Sequence, residues 1–243
     1  MHIIKLNATD STNSYLRHLS NTETLEDYTV VVAEFQESGR GQMGTVWESE
    51  PGKNLMFSVL KDVSFLKIQS NFYISRVVSL ALIKSLQQFS VPKLSIKWPN
   101  DILSENSKIC GVLIENMLKQ DSLKSTIIGI GMNVNQVNFN DLPRASSLKL
   151  ILGTQFDLDE LLIAVVKNLK YYFKKLEKQQ FHVLKTEYEN YLFRKDRPST
   201  FQDVHGNLFS GYIKQVTESG CLQVLLEDDK LSDFDLKEIT LLY

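Results

Sequence analysis

The segment ICGVLIENMLKQDSLKSTIIGIGMNVN, residues 109–135, holds two apolar runs of strand length separated by the polar LKQDSLK. Runs rich in Ile, Val and Leu with a polar spacer predict a central β-hairpin. A hairpin pairs its strands antiparallel, so any sheet built around it is mixed rather than all parallel.

Further elements lie on either side of that hairpin. HIIKL (2–6), YTVVVAEF (28–35) and NLMFSVL (54–60) are strand-like, and LSIKW (94–98) is a short strand stopped by Pro99, which lacks a ladder donor. STNSYLRHLSN (11–21) predicts a helix with Asp10 and Ser11 as candidate N-caps. Apolar residues at helical spacing mark 72–89, 158–176 and 181–193 as helices. GIGMNVN places Asn133 and Asn135 at alternate positions, and on a strand these would share one face; the glycines there would equally mark a bulge. Beyond Pro198 only short alternating segments remain, broken by HGN and ESG turns, which predicts a small closed five-stranded barrel. The expected division is 1–194 and 195–243, the second part being too small for a strong core of its own.

Of 243 residues, 43% are hydrophobic, and 27 Lys and Arg face 29 Asp and Glu. A net charge of -2 provides no broad field for a nucleic-acid backbone, so DNA is not an expected partner. Cys110 and Cys221 lack metal-ligand spacing and suit buried free thiols in a reducing compartment. No signal-like start and no membrane-length apolar run is present, and the expected location is the cytoplasm, away from membranes.

Three motifs carry chemistry. In ESGRGQMGTVW (37–47), Gly39, Gly41 and Gly44 free the backbone for close approach, and Arg40 offers a charged planar fork, a combination suited to an anion. The spacing is not that of a P-loop or a dinucleotide fingerprint, and a surface loop with one solvated arginine would look the same. KWPND (97–101) sets Lys97, Asn100 and Asp101 around a stiff turn, and Lys108 follows seven residues after Asp101. Lysine and aspartate there suit charge neutralisation at a carboxylate or phosphate and handling of a metal or proton, unless Lys108 is merely solvated and Asp101 merely caps a turn. The third motif, GIGMNVN, offers close backbone approach and amide groups.

DSTN, Q-x-x-GRG-x-x-G-x-x-W, KWPND, K-x-x-G-x-L-x-E and GIGMNVN stand in the order and spacing of the biotin protein ligases, and the chain resembles that family over roughly residues 9–135. The resemblance implies an α+β fold: a catalytic domain similar to class II aminoacyl-tRNA synthetases, with a mixed sheet flanked by helices, followed by a small SH3-like β-barrel. It implies a ligase that converts biotin and ATP to biotinyl-5′-AMP and transfers the biotinyl group to a lysine of a biotin carboxyl carrier protein. By the same resemblance Ser11, Thr12 and Asn13 contact biotin at its ureido end, and Gln36 makes a further contact to the ligand. Arg40 and the backbone of Gly39 and Gly41 hold the carboxylate and then the phosphate, with Gln42 beside them among the biotin-binding positions. Lys108 binds the reacting carboxylate beside Gly111, and Asp101 deprotonates the acceptor lysine. Trp47, Lys97, Asn100 and Asn133 face ATP, whose Mg2+ is expected near Asn100. Gln42 stands where other members carry a second arginine, and Thr45 also replaces a basic residue, which bears on adenylate retention. HIIKLNATDSTN enters the core within ten residues, as expected of a monofunctional ligase without a DNA-reading domain, and a homodimer is compatible with the family. A lipoate or octanoate ligase of the same fold family is the near alternative, and a non-catalytic biotin-binding regulator the distant one.

Overall fold

The computed structural model describes residues 2–139 and 142–243. Its larger sheet has seven strands: β1 (Ile3–Thr9), β2 (Val30–Gln36), β3 (Leu55–Asp62), β4 (Leu94–Lys97), β5 (Asp101–Ser104), β6 (Ser107–Lys119) and β7 (Ser122–Met132). Their order across the sheet is β1-β2-β3-β7-β6-β5-β4, with β1 and β2 parallel and every other pair antiparallel. The sheet is mixed, with the β6–β7 hairpin near its centre.

Side-chain alternation gives this sheet two different faces. On one, Val30, Phe57, Val59, Ile128 and Ile130 join the main core with helix α2 (Phe72–Gln88) and helix α4 (Leu158–Glu177). Asp157 caps α4, its carboxylate accepting from the amides of Asp159 at 2.8 Å and Glu160 at 3.0 Å. On the other face α1 (Thr12–Thr22) packs Leu16 onto Val31, Leu60 and Ile127. Register sets Ser58 opposite Gly129 and Gly129 opposite Leu113, and in the next row Met56, Gly131 and Gly111. Three glycines on one face of two neighbouring strands leave a floor without side chains.

Several local expectations change. Most of LKQDSLK is strand: the ladder runs to the Lys119–Ser122 pair, and the turn shrinks to Gln120 and Asp121, both with positive φ. KWPND is followed at once by β5, and a short helix α3 (Leu148–Leu152) precedes α4, neither expected. Helix α5 (Phe181–Asn190) ends three residues before Phe193. β7 stops at Met132, so Asn133 and Asn135 lie beyond the strand and are buried. Ser11, not Asp10, is the N-cap residue of α1, and its hydroxyl makes no capping bond. Cys110 is buried, burial pushing its thiol pKa up, whereas Cys221 is only half-buried.

The smaller sheet comprises β8 (Pro198–Asp203), β9 (Leu208–Val216), β10 (Leu222–Leu226), β11 (Leu231–Phe234) and β12 (Ile239–Leu242), all antiparallel in the order β11-β10-β9-β8-β12. It docks through its β9–β10 turn. Arg76 on α2, fully buried, donates Nη2 to Val216 O at 2.9 Å and Thr217 O at 2.7 Å. Trp98 donates Nε1 to Gly220 O at 2.8 Å, so the small sheet braces the turn that carries Lys97 and Asp101. Replacing Arg76 with Ala removes two charge-assisted bonds and leaves a void. The expected loss is about 2–4 kcal/mol, read by denaturant unfolding. A loss below about 0.5 kcal/mol would show that the two sheets do not depend on this contact.

Candidate active site

A cavity of about 510 Å³ opens over the glycine floor, a size suited to a small organic ligand. α1 and β2 supply Ser11, Thr12, Asn13 and Gln36, and the loop after β2 supplies Arg40, Gly41, Gln42 and Trp47. The β4–β5 turn adds Lys97, Asn100 and Asp101, and β6 adds Lys108 and Gly111. Of the residues to which the family resemblance gives a role, Gly39 and Asn133 are not in its wall, and neither are Gly44 and Asn135 of the glycine motifs. Asn133 donates its amide to Ser146 O at 3.0 Å and pins the segment after β7.

The β5–β6 register puts Asp101 opposite Gly111, and a bulge between Ile102 and Leu103 shifts Lys108 back along the ladder. Lys108 Nζ thereby lies 2.7 Å from Asp101 Oδ1, off the direction of a well-formed hydrogen bond. The pair is held by charge. Asn100 donates Nδ2 to Val112 O at 2.8 Å, which locks the turn. Burial pushes the Lys97 ammonium below the ordinary lysine value; Asp101 opposes this, while Lys108 and Arg144 add to it. Its Nζ lies 5.2 Å from the centre of the Tyr243 ring.

The glycine loop is a miniature hairpin rather than an open anion nest. Trp47 N donates to Gly39 O at 2.9 Å and Gly41 N to Thr45 O at 2.7 Å, so the Gly41 amide expected to face a ligand is already used. Met43 and Gly44, both at positive φ, make the turn. A Cβ on Gly39 would lie 2.3 Å from Trp47 O: its glycine serves the loop's own closure. The Trp47 ring lies on the floor, where a Cβ on Gly131 would meet Cε2 at 2.5 Å, and its Nε1 has no partner.

Sequence reasoning missed Glu115 and Ser58. Glu115, two strand steps of two residues beyond Gly111, shares its face and accepts from Asn13 Nδ2 at 2.8 Å; it also pairs with Arg17 at 3.1 Å and Arg40 at 3.2 Å. Its place in K-x-x-G-x-L-x-E held the signal, since period two sets Gly111, Leu113 and Glu115 side by side. Arg40 is thus held at the polar end by Glu115 and not by Asp101. Ser58 had no local signal, because its partners come from another element. The second sheet also closes the cavity with Leu236, Lys237, Ile239 and Leu241.

The profile of the biotin/lipoate A/B protein ligase family matches residues 6–133, the stretch that forms this cavity's floor and polar end. The chain belongs to that family. Among relatives of this ligase family, the bifunctional ligase/repressor BirA of Bacillus subtilis is 34% identical over 161 residues, covering 64% of this chain and 49% of its own length. The biotin–acetyl-CoA-carboxylase ligase of Mycobacterium tuberculosis is 31% identical over 143 residues, covering 58% and 52%. The chain thus spans about half the length of these curated relatives. Among solved structures, a biotin protein ligase from Aquifex aeolicus in complex with biotin and ATP superposes with a TM-score of 0.82 at 28% identity, covering 99% of this chain and 98% of that one. The α+β architecture with a separate antiparallel small sheet is therefore that of biotin protein ligases. No helix among the described residues is long and apolar enough to cross a membrane.

Proposed function

We propose that the chain is an ATP-dependent biotin–protein ligase acting on a lysine of a biotin carboxyl carrier protein in the cytoplasm. The observation that carries this reading is a single cavity lined by the Lys108–Asp101 pair beside Gly111 and by the buried polar side chains of Ser11, Thr12 and Asn13. The structural match to a ligase bound to biotin and ATP supports it.

In the first step a carboxylate oxygen of biotin bonds to the α-phosphorus of ATP, and the bond to pyrophosphate breaks. Lys108 neutralises the carboxylate as it approaches and the negative charge that builds on the phosphate, while the apolar walls keep that interaction strong. Lys97 and Asn100 face the nucleotide, and Trp47 offers its ring and its free N–H. In the second step the acceptor lysine's amine attacks the biotinyl carbonyl, AMP leaves, and Asp101 takes the amine's proton.

Among the described residues no group of three or more His, Cys, Asp or Glu is placed to hold a metal. That fits a Mg2+ delivered with the triphosphate, which needs only one or two protein oxygens, and Asn100 Oδ1 is of the right kind. Bound there, the ion would offset charge on the phosphates.

The polar pocket discriminates between substrates. Ser11, Thr12 and Asn13 are buried and line the cavity, and an alkyl chain or a dithiolane there would forgo hydrogen bonds to them. A ureido ring returns those bonds. Biotin-dependent exchange of pyrophosphate into ATP is expected with purified protein, with far slower exchange on lipoate or octanoate. Exchange with lipoate and none with biotin would overturn the assignment.

A further inference from the structure

The turn between β11 and β12, residues 235–238, brings one backbone outlier to the wall of the cavity. Among the described residues twelve other than glycine have positive φ, and eleven of them lie between 45° and 64°, in the left-handed helical region. The twelfth is Lys237, at 131°, a conformation at which a side chain is strained and glycine is not. We propose that Lys237 is a nucleotide-binding residue supplied by the small sheet, its ammonium meeting the phosphates beyond the reacting one. The proposal rests on the ligase reading above and adds a contact to it.

The turn itself has no need of a lysine. Glu238 N donates to Asp235 O at 3.1 Å and closes a four-residue turn, with Lys237 at its third position. Where that position has positive φ, glycine or asparagine is the ordinary occupant. Asp235 N donates to Glu238 Oε2 at 2.7 Å and Leu236 N to Asp235 Oδ1 at 2.6 Å, so its neighbours fix the turn without any atom of the Lys237 side chain. Leu236 and Ile239 line the cavity with it, and the lysine is exposed there. Packing around an exposed side chain does not offset the strain in its backbone. Such strain persists where the surroundings hold it, and it gathers at ligand sites.

The charges in the cavity wall identify the ligand this lysine suits. Arg40, Lys97, Lys108 and Lys237 stand against a single lining carboxylate, Asp101. Arg40 pairs with Glu115 and Lys108 with Asp101, whereas Lys97 and Lys237 have no carboxylate partner among the described residues. Two unpaired cations in one wall favour a polyanion. Biotin brings one negative charge and an acceptor lysine none, so of the reactants only the triphosphate answers to both. Lys108, beside the glycine floor, serves the reacting carboxylate. The exposed Lys237 suits the outer phosphates, which keep part of their water.

The strain and the charge of Lys237 separate in two variants. Lys237→Gly removes both. In biotin-dependent exchange its KM for ATP and its KM for pyrophosphate should each rise about 10-fold, the effect of losing one charge-assisted contact, while the KM for biotin stays within about 2-fold. Its urea midpoint should rise as well, because relief of the strain exceeds the freedom that glycine adds to the unfolded chain. Lys237→Gln removes the charge alone and should raise the same two KM values with no gain in midpoint. A lysine that is merely solvated predicts the stability gain in K237G with every KM unchanged, and that result would overturn the proposal. A KM for biotin that rises as much as that for ATP would overturn it too, and so would a lower urea midpoint in K237G. If K237G does not fold, K237Q decides: KM values for ATP and pyrophosphate within about 2-fold of wild type reject the contact. Absence of biotin-dependent exchange in wild type would instead overturn the ligase reading, and that control separates the two failures.

Discussion

Lys108→Ala loses about 10²–10³-fold in biotin-dependent pyrophosphate exchange, the usual effect of removing one preorganised charge-stabilising group. The side chain is 36% exposed and its partner Asp101 only 14%, so truncation leaves one partly buried carboxylate without its cation. A pair with that much solvent contact contributes roughly 0–1 kcal/mol, and the variant should stay folded within about that margin. Activity and stability therefore separate. Rates of exchange and urea midpoints for wild type and variant check both halves. An unchanged rate in a folded Lys108→Ala protein would return this lysine to the solvated surface and remove the main support for its role. Asp101→Asn should leave exchange far less affected than transfer to a carrier lysine, because its proposed proton transfer belongs to the second step alone.

The fold was legible where local pattern and burial agree. The hairpin, the α2 and α4 stripes and the change to short strands beyond Pro198 all follow from periodicity, and each holds in the structure. What escaped were features fixed by partners distant in sequence. β5 is only four residues long, and it is strand because β4 and β6 flank it. The Gln120–Asp121 turn is tight because the ladder continues through polar residues whose outward side chains give no apolar signal. At the site, the motifs named most of the cavity wall but not how it is wired. Glycines read as room for a ligand turn out to serve the protein's own packing: Gly39 closes the loop on itself, whereas Gly129 and Gly131 make room for the Asn13 side chain and the Trp47 ring. Arg40 has the expected location and an unexpected partner, since nothing in its own loop announces Glu115, 75 residues away.

The wiring of the floor makes Gly131→Ala the more telling substitution. An added Cβ would lie 2.5, 2.7 and 2.9 Å from Cε2, Cζ2 and Cδ2 of Trp47, closer than carbon atoms pack, so one of the two must move. Gly131 sits within β7, paired on both sides, and does not have positive φ, so alanine suits its backbone. The ring has the weaker hold: its Nε1 bonds to nothing and its loop rests on a few hairpin contacts. The indole is therefore expected to leave the floor while the sheet stays. Overpacking of this kind costs roughly 1–3 kcal/mol, and here it falls on the loop, raising the KM for ATP about 5- to 150-fold if Trp47 walls the nucleotide. Global stability should hold or rise slightly, because alanine restricts the unfolded chain more than glycine does. Gly111→Ala, whose nearest contacts are 3.2 Å to Trp47 and 3.3 Å to Lys108, should displace the ring less. The chain has two tryptophans, and Trp98 is tied to Gly220 O away from this clash, so a red shift in emission reports Trp47 leaving the floor. An unchanged spectrum together with an unchanged KM for ATP would mean that the sheet yields instead of the ring. The loop would then have no part in holding the nucleotide.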